Sequence, residues 1–143
     1  MATRSISTRP VPNAAHGAIP DGRALAASAA FVVQGHCASM KNGRSPNGRG
    51  GSYKSATAMA FERDFAYQVP PECKRSIGGP KSPLRAIVSV FYPSYRQDLD
   101  VAIVYDLLQT CGVVSNDRWI REKHEYAYVD AKYPRVEIVV EEI

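Results

Sequence analysis

The segment Leu84-Arg-Ala-Ile-Val-Ser-Val-Phe-Tyr92 runs through Pro93-Ser94-Tyr95-Arg96-Gln97-Asp98-Leu99-Asp100 into Val101-Ala-Ile-Val-Tyr-Asp-Leu-Leu-Gln-Thr-Cys111-Gly112. Its first part has apolar residues on both faces of a two-residue period (Ala86, Val88 and Val90; Ile87 and Phe91). That pattern predicts a strand in the middle of a sheet. The last part has one apolar stripe at helical spacing, Val101, Val104, Leu108 and Cys111, and a second one in Ile103 and Leu107. It predicts a helix opened by Asp98-Leu99-Asp100 and closed by Gly112. So much apolar circumference on a short helix predicts burial on more than one side, and a partner subunit is one way to supply it.

Working outward, Val113-Val114-Ser115-Asn116-Asp117 leads into a predicted strand over 118–130, a turn over 131–134 and a last strand over 136–142. In that last strand Val136, Ile138 and Val140 alternate with Glu137 and Glu141, which predicts one solvated face. Upstream, Ser55 is a plausible N-cap for a helix to about Val69, with Ala58, Phe61, Phe65 and Val69 as its core stripe and Pro70-Pro71 as its stop. Residues 72–83 read as a loop, and Phe31-Val32-Val33 as a first strand. The expected fold class is α+β: a single domain with a small mixed β-sheet packed with two main helices. Residues 1–28 are rich in Pro, Ser, Thr and Ala without apolar periodicity and read as a disordered N-terminal tail, leaving 29–143 as the folded domain. A length of 143 residues suits one domain.

Charge is unevenly distributed. Residues 1–96 hold 13 Lys and Arg against 4 Asp and Glu, whereas residues 97–143 hold 5 against 10. Between Val33 and the helix at Ser55 lies Ser39-Met-Lys-Asn-Gly-Arg-Ser-Pro-Asn-Gly-Arg-Gly-Gly-Ser-Tyr-Lys54. Its four cations, Lys41, Arg44, Arg49 and Lys54, have no acidic neighbour. No Gly-Lys-Ser/Thr ends it, so it is no nucleotide P-loop. A basic loop of this kind can track a nucleic-acid backbone, with Tyr53 available to stack on a base; the alternative is an ordinary solvated hairpin.

Three cysteines, Cys37, Cys73 and Cys111, make neither a Cys-x-x-Cys pair nor a zinc knuckle, and an odd count fits a reducing, cytoplasmic setting. His36 and His124 have no partner at zinc spacing, and His16 lies in the tail. No stretch is long enough to span a membrane.

The acidic block carries the chemistry. Asp98 and Asp100 precede the helix and Asp117 comes after it, an order that can bring three carboxylates to one point. Clustered carboxylates repel one another unless a divalent cation neutralises them. An aspartate before a helix also serves as a cap, and that simpler role stands beside the metal one. Asp106 is turned about 240° from Asp100 at ~100° per residue, so it belongs to another face, as a hydrogen-bonding or interface residue.

Taken together, Asp98-Leu-Asp100, Asp106-Leu-Leu, Gly112 and Asn116-Asp117 resemble the RusA-type Holliday-junction resolvases of bacteria and their phages. The likeness extends less specifically over residues 30–143. It implies metal-binding, catalytic aspartates at Asp98, Asp100 and Asp117, and Mg2+ as cofactor, with Mn2+ able to substitute. It also implies a homodimer that cuts two strands of a four-way DNA junction, a prophage-type origin, and no nucleotide cofactor. DNA contacts are expected from Lys41, Arg44, Arg49, Lys54 and Arg96. Two positions depart from the pattern. Members often have an asparagine directly after the acidic pair and an important lysine four residues beyond its second aspartate, where this chain has Val101 and Val104. Arg96, Lys41 and Lys54 are candidate replacements for that cation, ahead of Arg121 and Lys123. The alternative function is a non-catalytic branched-DNA-binding protein that has lost turnover.

Overall fold

The computed structural model describes residues 27–40, 44–46 and 52–143. Its strands are β1 (Ser28–Gln34), β2 (Arg44–Pro46), β3 (Ser52–Lys54), β4 (Leu84–Tyr92), β5 (Ile120–Val129) and β6 (Arg135–Glu142). Its helices are α1 (Ala56–Gln68) and α2 (Ala102–Thr110), with single 3-10 turns at Pro71–Cys73 and Asp117–Trp119. The main sheet has the order β1-β6-β4-β5, and β2 and β3 form a separate two-stranded antiparallel sheet. β4 pairs antiparallel with β6 and parallel with β5, so the sheet is mixed and β4 is central, as its two apolar faces predict. The domain is α+β.

One face of the sheet and the two helices enclose the core. Ala29, Phe31 and Val33 of β1, Leu84, Ala86, Val88 and Val90 of β4, and Val136, Ile138 and Val140 of β6 point into it. α1 starts where Ser55 predicts: the Ser55 hydroxyl accepts the Ala58 amide at 3.1 Å. Its buried Ala58, Phe61 and Phe65 are the stripe seen in the sequence, with Phe65 meeting Phe31 edge to face. Gly112, just past α2, has φ +80, a left-handed conformation that a side chain would strain.

Three expectations need correcting. α2 begins at Ala102 and not at the acidic pair, because the Tyr92 hydroxyl holds Asp98–Asp100 out as a loop. Its apolar circumference needs no partner subunit: Val101, Ile103, Val104, Tyr105, Leu107 and Leu108 are all buried within the one chain. The core face of the sheet, α1 and the segment after Gly112 together cover more of the helix than one sheet face could. The last strand also lacks its solvated face, since Glu137 and Val139 are buried alongside Val136, Ile138 and Val140. The tail reading falls mainly on residues 1–26, outside the described residues; Ser28 already belongs to β1.

The burial of Glu137 is offset by an ion pair. Arg135 bonds Glu137 at 3.0 Å and Asp130 at 2.9 Å, and its guanidinium lies 3.8 Å from the centre of the Phe91 ring. Burial pushes the Asp130 carboxyl up, but the Tyr133 amide, the Arg135 guanidinium and the Lys132 amide outweigh it and hold the group below its usual range. A carboxyl depressed in the folded state stabilises the fold above its unfolded value of about 4, and that contribution fades as pH falls through the lower folded value. Melting temperature should therefore fall on acidification below about pH 4, and the fall should be shallower in Asp130→Asn. Parallel acid limbs for the two proteins would disconnect Asp130 from acid stability.

Candidate functional site

Tyr92, the last residue of β4, organises the loop beyond it. Its hydroxyl donates to the Asp98 carbonyl at 3.2 Å and accepts the Asp100 amide at 3.2 Å. One phenol thus grips the backbone on both sides of Leu99, which is why the chain is not yet helical there. Tyr92 can do this because it ends a strand whose even-numbered residues face the core, so its body is buried while its hydroxyl reaches the loop. Burial pushes its own pKa up, against the bond from the Asp100 amide, and the charges of Asp100 and Asp98 push the same way as burial.

Asp100 is anchored further. Its Oδ2 accepts the Ser39 hydroxyl at 2.6 Å, and its Oδ1 accepts the Ala102 amide at 3.2 Å. It therefore serves the start of α2 as well, joining the capping role to a fixed carboxylate. Asp98 and Asp100 line one concavity of about 240 Å3 together with His36, Cys37, Ser39, Ser55, Thr57, Tyr92 and Arg96. Burial raises the Cys37 thiol to about 12, with the Asp100 charge adding to it, so this cysteine stays protonated and inert. His36 packs edge-on against the Tyr92 ring at 6.4 Å.

Asp117 stands elsewhere. Its amide donates to Gln109 Oε1 at 2.9 Å in the last turn of α2, while Asp100 caps the first turn. From Ala102 to Gln109 the axis rises about 10 Å at 1.5 Å per residue. The cause is topological. Because β4 and β5 are parallel, the crossover helix must run back along the sheet, so the residues before the helix and those after it lie at opposite ends. Among the described residues no group of three His, Cys, Asp or Glu side chains is placed to hold a metal ion. The structure brings Asp98 and Asp100 together and does not bring Asp117 to them.

The pair still suits a hard cation. Magnesium commonly takes one or two carboxylates and fills its remaining positions with water and substrate phosphate. Asp98 and Asp100, with the Ser39 hydroxyl beside them, offer such an oxygen set at the carboxyl end of a strand, the usual place for sites in sheets with parallel pairs. The three-carboxylate set read from the sequence does not fit.

The other expected residues divide. Arg96 lines the pocket. Val101 and Val104, where a family-like asparagine and lysine would stand, are buried core positions that leave no room for a polar head. Lys123 lies 4.2 Å over the Tyr105 ring and Arg121 bonds the Arg118 carbonyl, so neither is free for the pocket. Arg44 and Lys54 are direct register partners on β2 and β3; Lys41 and Arg49 lie outside the described residues. Asp106 is exposed and lines a second concavity of about 480 Å3 between α1 and α2, with Glu62 across it. Trp119 packs against the core.

Sequence reading missed Tyr92, Ser39 and Thr57 as parts of the site. Ser39 meets a carboxylate 61 residues away, and nothing local in the chain signals that. No protein-family model matches the chain, and no curated protein is similar to it at a significant level. Among the described residues no helix is long and apolar enough to cross a membrane.

Proposed function

We propose that this chain is a magnesium-dependent, structure-selective endodeoxyribonuclease acting on four-way DNA junctions, with Asp98 and Asp100 as its metal-holding pair. One observation carries the reading. Ser39 and Ser55 both line the Asp98–Asp100 pocket, and the residues between them hold Lys41, Arg44, Arg49 and Lys54 with no acid. Chain continuity thus roots a segment with four cations and no acid at the rim of a carboxylate pocket. Arg44 is the register partner of Lys54.

In this reading the basic segment and Arg96 hold backbone phosphates, and Asp98 and Asp100 present oxygens to the cation. Tyr92 fixes the backbone on both sides of Leu99, and Ser39 orients the Asp100 carboxylate. Asp98 and Asp100 would hold the magnesium ion, which would supply polarisation of the scissile phosphodiester and ease deprotonation of the attacking water. A homodimer whose two-fold axis matches the junction's would cut two strands together. Its interface lies away from the covered stripes of α2. Three free cysteines agree with a cytoplasmic home.

A second reading has its own support. With Val104 buried and Asp117 apart, the pocket lacks two elements of the family pattern, which favours a branched-DNA binder without turnover. The two readings separate on whether a labelled junction is cut when magnesium is added. Both require the basic segment to bind. Changing Lys41, Arg44, Arg49 and Lys54 together to alanine should weaken junction binding and flatten its dependence on salt, since each lost phosphate contact removes about 0.9 from the log–log slope. An unaltered affinity and slope would make the segment ordinary surface.

A further inference from the structure

We propose that Tyr95 and Tyr133 form a stacking platform for unpaired DNA bases beside the Asp98–Asp100 pocket, an inference that rests on the nucleic-acid reading above. Tyrosine rings are usually at least half covered, yet Tyr95 is 91% exposed and Tyr133 58%. Each projects from a turn pinned by its own hydrogen bonds. Around Tyr95, the Ser94 hydroxyl accepts the Arg96 amide at 3.2 Å and donates to Gln97 Oε1 at 3.2 Å. Around Tyr133, the Asp130 carboxylate accepts the amides of Lys132 and Tyr133 at 3.2 and 3.1 Å.

The two turns share an anchor. The Asp130 amide donates to the Tyr92 carbonyl at 2.8 Å, and Tyr95 and Tyr133 each lie three residues beyond that bond. The Gly35 amide, donating to the Pro134 carbonyl at 2.9 Å, ties in the segment that brings His36 to the pocket. Both rings therefore stand at the end of the sheet where the carboxylate pair lies.

Each ring also has a cation next to it in the chain. Arg96 lines the pocket, and Lys132 Nζ sits 5.6 Å over the Tyr133 ring. An exposed, rigidly mounted aromatic beside a cation is the arrangement that holds single-stranded nucleic acid. The ring takes the base face, and the cation takes the adjoining phosphate. A base must leave its stack to reach such a platform, and a branch point interrupts the continuous stack of a duplex, so the platform would favour branched over linear DNA. Tyr67 provides an internal control: it is 89% exposed, but its chain neighbours Ala66 and Gln68 carry no charge, and it stands near the end of α1 opposite Ser55.

The test uses the full chain in EDTA, where no metal-dependent cleavage intervenes. The probe is an oligothymidylate of about eight nucleotides carrying one central 2-aminopurine. Binding to the unaltered protein should quench the probe, as stacking does. Tyr95→Ala and Tyr133→Ala should each weaken binding about tenfold, Tyr95→Phe should retain it, and Tyr67→Ala should change nothing. Because all three tyrosines are exposed, the variants should keep the parent melting temperature. Wild-type affinity in both alanine variants, with junction binding intact, would overturn the platform alone. Equal loss in Tyr67→Ala would overturn it as well, by making the effect non-local. Failure of the unaltered protein to bind either oligothymidylate or junction would overturn the nucleic-acid reading beneath it.

Discussion

Asp100→Asn should abolish magnesium-dependent nicking of a four-way junction, by about a hundredfold or more, while junction affinity stays the same or rises. Asparagine keeps the shape: its one side-chain oxygen can accept the Ala102 amide while its NH2 donates to the Ser39 hydroxyl oxygen, so the loop and the start of α2 should persist. The loss is one negative charge facing the cation and the phosphates. Asp98→Asn should behave alike, since both side chains line the same pocket. Asp117→Asn should retain most activity, because Asp117 is tied through its backbone amide to Gln109 at the far end of α2. Activity lost in Asp117→Asn and kept in Asp100→Asn would reverse this assignment.

The contrast shows what the sequence could and could not reveal. Strand β4 was legible to the residue, because a central strand is apolar on both faces and Leu84–Tyr92 is bounded by proline at Pro83 and Pro93. The start of α1 was legible from Ser55, a local capping signal. The acidic pair was legible as a site candidate because Asp98 and Asp100 are two residues apart. Its relation to Asp117 was not, because that depends on β4 and β5 being parallel, which no single segment encodes. The start of α2 was misread for a related reason: the Tyr92 hydroxyl holds Asp98 and Asp100 out of the helix, a contact set by the end of the preceding strand. Glu137 looked solvated because alternation identifies faces but not their covering; its partner Arg135 stands two residues away on the same strand, so the pair was local while the burial of that face was not.

The second large effect concerns α2. Leu108→Ala should cost about 2–5 kcal/mol, as expected where a leucine with no exposed surface is truncated and the surroundings close only partly. That corresponds to a fall in melting temperature of roughly 10 °C or more for a domain of this size. Ile103→Glu should do more and leave the chain unfolded. Ile103 is 2% exposed, and a carboxylate there would lose most of its hydration beside the acidic Glu62 and Asp106 that line the same concavity. A helix face that paired two subunits would give another result: Ile103→Glu would remain folded by circular dichroism and sediment as a monomer where the unaltered protein is a dimer. Such an outcome would restore α2 as an interface and contradict its coverage within one chain.

The most direct test of the central claim is to incubate the purified full chain with end-labelled four-way junction, linear duplex and single strand, each with magnesium and with EDTA. The account predicts paired cuts in the junction with magnesium alone, little cutting of duplex, and junction binding that persists in EDTA. Binding without cleavage would move the chain to the non-catalytic reading, and absence of both binding and cleavage on all three substrates would contradict the account outright.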